Sequence, residues 1–339
     1  DIINVAAATG YPVITNTSND VEFEKFLDRV FFQNNSDMPL TYRTSTNVWS
    51  KEYVGRTLIS KYLKKFKSRM YLGYCGFPGP QAPLDIGSNA ITFPSRVFYS
   101  DLFQGNTLTW GIEWGRNGAT TIGTNIFEVT TTGGTLVQDF KATNIKVGDP
   151  LFITNGNAQL TSDKPYIVTS IPSPYRLLVD RNFTVTTTGQ HFWVGSNWFD
   201  VEPDDGDVIT GFGANATRVL IFKLYSLHWY NGSQRQPVEG APGTSYNRSI
   251  WNDRYGNTYY FHGSDPKITG IYKYNKIASL RVSKPIDPFI LGMATGNYDN
   301  AVVWPEGSEL SFFLGDLSAT NLIDSMTNAR AVYNVDTGA

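Results

Sequence analysis

Between Asp207 and Tyr274 the apolar and polar positions fall into a unit that is written twice: a run of β-branched and aromatic residues, a tight connection, then a second run ending in aromatics. The first copy is Thr217-Arg218-Val219-Leu220-Ile221-Phe222-Lys223, followed by Leu227-His228-Trp229-Tyr230 and the turn Asn231-Gly232. The second is Gly256-Asn257-Thr258-Tyr259-Tyr260-Phe261, the turn Gly263-Ser264-Asp265-Pro266, and Gly270-Ile271-Tyr272-Lys273-Tyr274. Short runs of this composition bounded by turn residues predict strands joined as hairpins. Further copies are expected at Asp28–Phe32 with Leu40–Tyr42, at Ser68–Gly73, at Ser95–Tyr99 with Leu108–Trp110, and at Glu309–Leu314 with Ala331–Tyr333. Ser68–Gly73 has no obvious hairpin partner.

The spacing gives the architecture. Arg29 to Arg69 is 40 residues and Arg218 to Asn257 is 39. A period near 40 with several short strands per repeat predicts an all-β chain of the β-propeller type. A sandwich of unrelated hairpins is the alternative that such spacing also permits. Tyr11–Thr15 reads as a strand closing the propeller or as a loose tail. Residues 76–94, with four prolines and three glycines, predict a long surface loop.

After Trp114 the pattern changes, and Ser, Thr and Gly dominate through residue 199. Phe127–Gly133 is echoed by Phe183–Gly189, and Val147–Ile153, Tyr166–Ile171 and Tyr175–Val179 lie between them as short strand-like runs. This predicts a small β-barrel at residues 118–195 inserted between two propeller parts, 1–117 and 196–339. Removing its 78 residues cuts the Arg96 to Arg218 interval from 122 to 44, close to the repeat. The two Thr-rich echoes are expected to be neighbouring antiparallel strands that bring the ends of the insert together.

Composition narrows the class. Aromatics are 14%, charged residues 17%, and there are 31 glycines, which suits strands and turns more than long helices. The net charge of -2 gives no electrostatic reason for tight binding to nucleic acid or to a membrane surface. Cys75 is alone, so no internal disulfide forms. No apolar run approaches the ~20 residues of a membrane span. The chain starts at Asp1 without a signal peptide, as the ordered or processed part of a longer product would.

Candidate chemistry is sparse. Gly211-Phe212-Gly213-Ala214-Asn215-Ala216 mimics a dinucleotide fingerprint, but a strand follows it where a helix N-terminus is needed. Glu202, Asp204, Asp205 and Asp207 group enough carboxylates for calcium, with a spacing that fits an Asp-Gly turn better than a calcium loop. His191, His228 and His262 are dispersed and form no zinc pairing. No Gly-x-Ser-x-Gly nucleophile motif occurs. Ser100-Asp101 with Gly105, Thr107 and Trp110 is a mis-spaced version of the Asp-box turn of sialidase propellers. Lys61, Lys64, Lys65, Lys67 and Arg69 interleave with Tyr62, Leu63 and Phe66, as a solvated outer strand or a docking face would. The expected assignment is therefore no catalytic, cofactor-binding or metal-ligating residue, no cofactor and no enzymatic activity.

Four stretches carry a family resemblance. They are Phe26–Asn34 with Pro39–Tyr42; Ser68–Gly73 with Phe93–Asp101; Gly243–Ser245 with Arg248–Ile250, Tyr259–Phe261, Gly270–Tyr272 and Val282–Ile286; and Phe313–Leu317 with Asn328–Tyr333. In this order they resemble the propeller-bearing tail and neck proteins of tailed bacteriophages, including the nozzle and genome-stabilising plug proteins of short-tailed phages. The resemblance spans nearly all of the chain outside the insert, which itself resembles small barrels of phage structural proteins. It implies a non-enzymatic virion component, assembled in the bacterial cytoplasm as a homo-oligomeric ring in the neck or tail. It also implies portal, adaptor or tail-fibre partners, and viral DNA passing during ejection without sequence-specific binding. Relatives continue past the last aromatic strand, so the final blade is expected to be incomplete. A near-neutral chain suits a conduit, because a basic lumen would hold DNA by phosphate contacts. The alternative is a carbohydrate-binding or glycan-cleaving propeller such as a receptor-binding tail protein, which as a glycosidase would need two carboxylates across a pocket.

Overall fold

The computed structural model describes residues 21–34, 40–51, 59–77, 91–102, 113–129, 139–143, 145–154, 166–195, 197–291, 301–317 and 326–338. The fold is all-β, of propeller-type blades with an inserted small β-barrel. The first sheet is an antiparallel meander of β1 (Glu22–Phe26), β2 (Arg29–Gln33), β3 (Leu40–Arg43) and β4 (Val48–Lys51). The second contains β5 (Ile59–Phe66), β6 (Arg69–Phe77) and β7 (Ile91–Tyr99). Its fourth strand comes only after the barrel.

The barrel is made of β8 (Glu113–Thr120), β9 (Ile126–Val129), β10 (Pro150–Thr154), β11 (Tyr166–Ser173), β12 (Arg176–Val179) and β13 (Thr187–Val194). These close in the order β10-β11-β12-β9-β8-β13. Then β14 (Trp198–Asp200) returns to β7 and completes the second sheet in the order β14-β7-β6-β5. The barrel is thus inserted between the third and fourth strands of one blade.

Two further meanders follow: β15 (Ile209–Ala214), β16 (Val219–Lys223), β17 (Leu227–Tyr230) and β18 (Arg235–Pro237); then β19 (Trp251–Asn252), β20 (Thr258–His262), β21 (Gly270–Tyr274) and β22 (Ser279–Arg281). After the short helix α1 (Asp287–Ile290) comes a three-stranded sheet of β23 (Val302–Glu306), β24 (Glu309–Leu317) and β25 (Met326–Asn334).

The repeat marks the second strand of each blade. β2, β6, β16, β20 and β24 begin at residues 29, 69, 219, 258 and 309. Three of the hairpins leading into them share a two-residue turn whose first residue lies in the left-handed region: Leu27 (φ 55°), Lys67 (φ 52°) and Gly307 (φ 62°). That geometry suits the right-handed twist of the flanking strands.

Contact density divides the chain into two compact units, residues 1–61 with 67–199 and residues 62–66 with 200–339. In the first, the barrel core gathers Phe127, Phe140, Leu151, Val168, Leu177 and Phe192, all at 0% exposure. Phe127 and Phe192 meet edge to face at 5.0 Å. This is possible because Gly118 on β8 has no side chain, where a Cβ would lie 2.5 Å from the Phe127 ring. In the second unit, the β19–β22 sheet packs through Tyr260, Tyr272 and Tyr274 against Leu220 and Phe222 of β16. Its other face packs through Tyr259, Phe261 and Ile271 against Leu310, Phe312 and Leu314 of β24. Burying large side chains contributes about 1.5–3 kcal/mol each, so sheets stacked in chain order need no further cross-link.

Four sequence expectations change. Ser95–Tyr99 does not open a blade of its own; as part of β7 it pairs with β6, Tyr99 opposite Tyr71 and Val97 opposite Gly73, and so supplies the partner that Ser68–Gly73 lacked. The 44-residue interval therefore compared a third strand with a second. The described part of the first echo, Phe127–Val129 on β9, is not paired with the second: β8 lies between β9 and β13, Phe183 to Thr186 precede β13, and residues 130–133 lie outside the described residues. The ends of the insert meet instead through β8 and β13, with Glu113 opposite Val194, so the barrel starts five residues before Gly118. Strands also enter the expected 76–94 loop from both sides. Tyr11–Thr15 and Leu108–Trp110 lie outside the described residues.

Candidate functional site

The acidic loop ahead of β15 is the first place where the sequence groups groups capable of binding. The structure fills it from within. Lys223, the last residue of β16, is fully buried and its Nζ donates to the carbonyls of Val201 and Glu202 at 3.0 Å each. The same ammonium donates to both oxygens of Asp205, at 2.6 and 2.7 Å. A lysine head thus occupies the oxygen cradle that a metal would need. Burial opposes ionisation of Asp205, but the hydrogen bond from Lys223 prevails and holds its pKa below the ordinary value.

Asp207 organises the adjoining turn. Its carboxylate accepts from the backbone N–H of Val208, Leu224 and Tyr225 and from the Ser226 hydroxyl, between 2.8 and 3.1 Å. His228 stands behind this loop at 0% exposure, with Nε2 3.1 Å from Ser226 Oγ and 3.7 Å from Glu202 Oε2. Burial depresses its pKa. His262 is likewise buried, its Nδ1 3.0 Å from the Gly243 carbonyl, and burial lowers its pKa too.

A second cluster joins the barrel to its blade. Trp198, the first residue of β14, donates from Nε1 to Asp149 Oδ1 at 2.6 Å. The Arg96 guanidinium of β7 lies 3.5 Å from the Trp198 ring centroid and donates to the Gly148 carbonyl at 3.1 Å. Lys146 Nζ lies 4.1 Å from the same ring and donates to the Trp198 carbonyl at 2.8 Å. Sequence reasoning passed over this group, because Arg96 and Trp198 are separated in the chain by the whole barrel.

The third place is the outward face of the last sheet. Trp304, Phe313 and Val332 are 63, 42 and 46% exposed. They sit on adjacent strands, with Trp304 and Val332 flanking Ser311 from either side and Phe313 opposite Arg330. The other face of these strands belongs to the core described above.

The remaining motifs resolve as structure. Gly211 and Gly213 lie on β15, where a Cβ on Gly211 would meet Asn247 Oδ1 at 2.5 Å, so they serve close packing. Ser100 Oγ accepts from the Met70 N–H at 3.0 Å, and Asp101 accepts from Asn197 at 2.6 Å, so the Asp-box-like pair fastens strand ends. The basic run lies on β5 and its turn, with Tyr62, Leu63 and Phe66 buried and Lys61 and Lys67 exposed. Among the described residues no three His, Cys, Asp or Glu side chains gather as a metal site, and no helix is long and apolar enough to cross a membrane.

No family model and no curated protein matches the chain. Three of the solved structures that align with the chain do so at low similarity. A computationally designed protein aligns at 7% identity and TM-score 0.28, over 96% of this chain and 86% of its own. The β-propeller domain of a Myceliophteria thermophila protein aligns at 9% identity and TM-score 0.28, over 96% of both chains. The extracellular domain of a one-component system from B. thetaiotaomicron aligns at 11% identity and TM-score 0.26, over 96% of this chain and 48% of that one. At such scores these likenesses bear no functional weight, and the fold rests on the strand order of the chain itself.

Proposed function

We propose that the chain is a non-enzymatic structural component of a tailed-phage virion, forming part of a neck or tail ring around the DNA exit channel. The supporting observation is the outward face of the last sheet, where Trp304, Phe313 and Val332 are exposed apolar side chains on adjacent strands. Grouped apolar exposure of this kind marks interaction surfaces. In the acidic loop the Asp205 carboxylate is paired with Lys223. The order of strand motifs that resembles nozzle and plug proteins supplies the context. In this reading the chain associates with further copies of itself and with portal, adaptor or tail-fibre proteins, and DNA passes without sequence-specific contacts. The protein is assembled in the host cytoplasm and resides in the virion.

Quantitative mass spectrometry of purified particles tests this reading. The expected result is the chain in several identical copies per particle, with no release of sugar from host polysaccharide by the isolated protein. Its absence from particles contradicts the reading, and polysaccharide cleavage would favour the glycan-cleaving alternative.

A further inference from the structure

The joint between the barrel and its blade is built around a carboxylate closed off from water. Asp149 has 0% exposure. Its Oδ1 accepts from Trp198 Nε1, and its Oδ2 accepts from the Lys146 N–H at 2.8 Å. The charged groups facing it among the described residues are Lys146, on the same barrel turn, and Arg96, on β7. Both cations also lie over the Trp198 ring. Three pieces of chain therefore meet on this one acid: the barrel turn 146–149, β7 and β14. The turn is itself fixed to the barrel wall, since the Gly148 N–H donates to the Val168 carbonyl and the Val168 N–H to that of Asp149. Parting the barrel from the blade would break the Trp198–Asp149, Arg96–Gly148 and Lys146–Trp198 contacts together and wet the carboxylate.

We propose that this joint is a proton-linked latch, in which Asp149 binds a proton as the barrel turn seats on Arg96 and Trp198 and releases it as the turn lifts away. Linkage sets the direction. Burial pushes the Asp149 pKa up from 3.8 to about 6, outweighing the hydrogen bonds from Lys146 and Trp198 and the two nearby cations. An open joint would expose the acid and restore its ordinary value. The seated form therefore binds the proton more tightly, and falling pH favours it across the window from about 6 to about 4. Above that window the carboxylate is ionised in both forms, and the seated form carries the cost of a buried charge. The latch is weakest there.

The inference does not depend on the proposed function, and nuclear magnetic resonance on the full chain tests it. The Trp198 indole N–H, assigned by its loss in W198F, is followed between pH 4.5 and 7.5 in the native protein and in D149N. The native resonance should titrate with a midpoint near 6. Its solvent exchange, normalised to D149N, should rise through that midpoint by a factor of up to about 100, the ceiling set by two pH units of linkage. D149N should show no midpoint. A resonance that does not move, or a midpoint that persists in D149N, overturns the proposal. Should D149N fail to fold, the carboxyl carbon of Asp149 in the native chain decides: a midpoint near 4 in place of 6 overturns it equally.

Discussion

Lys223 ties the acidic loop to β16, because one fully buried ammonium satisfies two carbonyls and the partly exposed carboxylate of Asp205. Lys223→Ala would leave Asp205 without its counter-ion and two carbonyls without a donor. Water reaches the partly exposed Asp205, so the loss comes mainly from the carbonyls left without a donor, about 1–3 kcal/mol, which urea unfolding would read as a lower midpoint with the slope retained. Because the lysine fills the cradle, calcium or a chelator should leave the melting temperature of the native protein unchanged; calcium-dependent melting would contradict this assignment. The buried histidines set a pH dependence of known sign. His228 and His262 have depressed folded-state values, so the unfolded chain binds protons first as pH drops below about 6.5. Stability should therefore fall between about pH 7 and 5, and the slope should shrink in His228→Gln. A slope unchanged by the substitution would remove His228 from the account. Little of this was legible beforehand. Lys223 closes an apolar run and Asp205 stands 18 residues earlier, so only the folded hairpin reveals that the acids answer a lysine.

At the scale of elements, the alternation of apolar and polar residues was a good guide wherever strands are joined by short turns. The hairpins at Thr217–Tyr230 and Gly256–Tyr274 form as β16–β17 and β20–β21, with Val219 opposite Tyr230 and Thr258 opposite Tyr274. Reading failed where a long connection separates paired strands. Residues 78–90 hide the pairing of β6 with β7, and the barrel hides the pairing of β7 with β14. Composition could locate the insert but not its ends, because β8 begins in the Gly-rich stretch from Glu113 that resembles a linker. Its true ends meet as Glu113 and Val194, so excision should cost the blade little: loop-closure entropy changes by only about 0.6 kcal/mol per doubling of length. Replacing Glu113–Val194 with a short Gly-Ser linker should leave a chain that still melts cooperatively. Loss of cooperative melting would mean that the barrel supports the blade it interrupts.

At the scale of the whole molecule, the chain is a set of repeated antiparallel sheets, one of them opened to admit a barrel, with aromatic side chains left facing outward on the last. Trp304→Asp together with Phe313→Asp should disturb assembly far more than stability, since both side chains are already solvated in the isolated chain. Equal loss of both would place these residues in the core and not at an interface. The central claim, that this is a building block of a phage neck or tail, is met most directly by an electron-microscopy map of the assembled particle. The account predicts density for several identical copies arranged as a closed ring about the DNA channel. A map with no such ring, or with the chain as single copies at the tips of receptor-binding fibres, would contradict it.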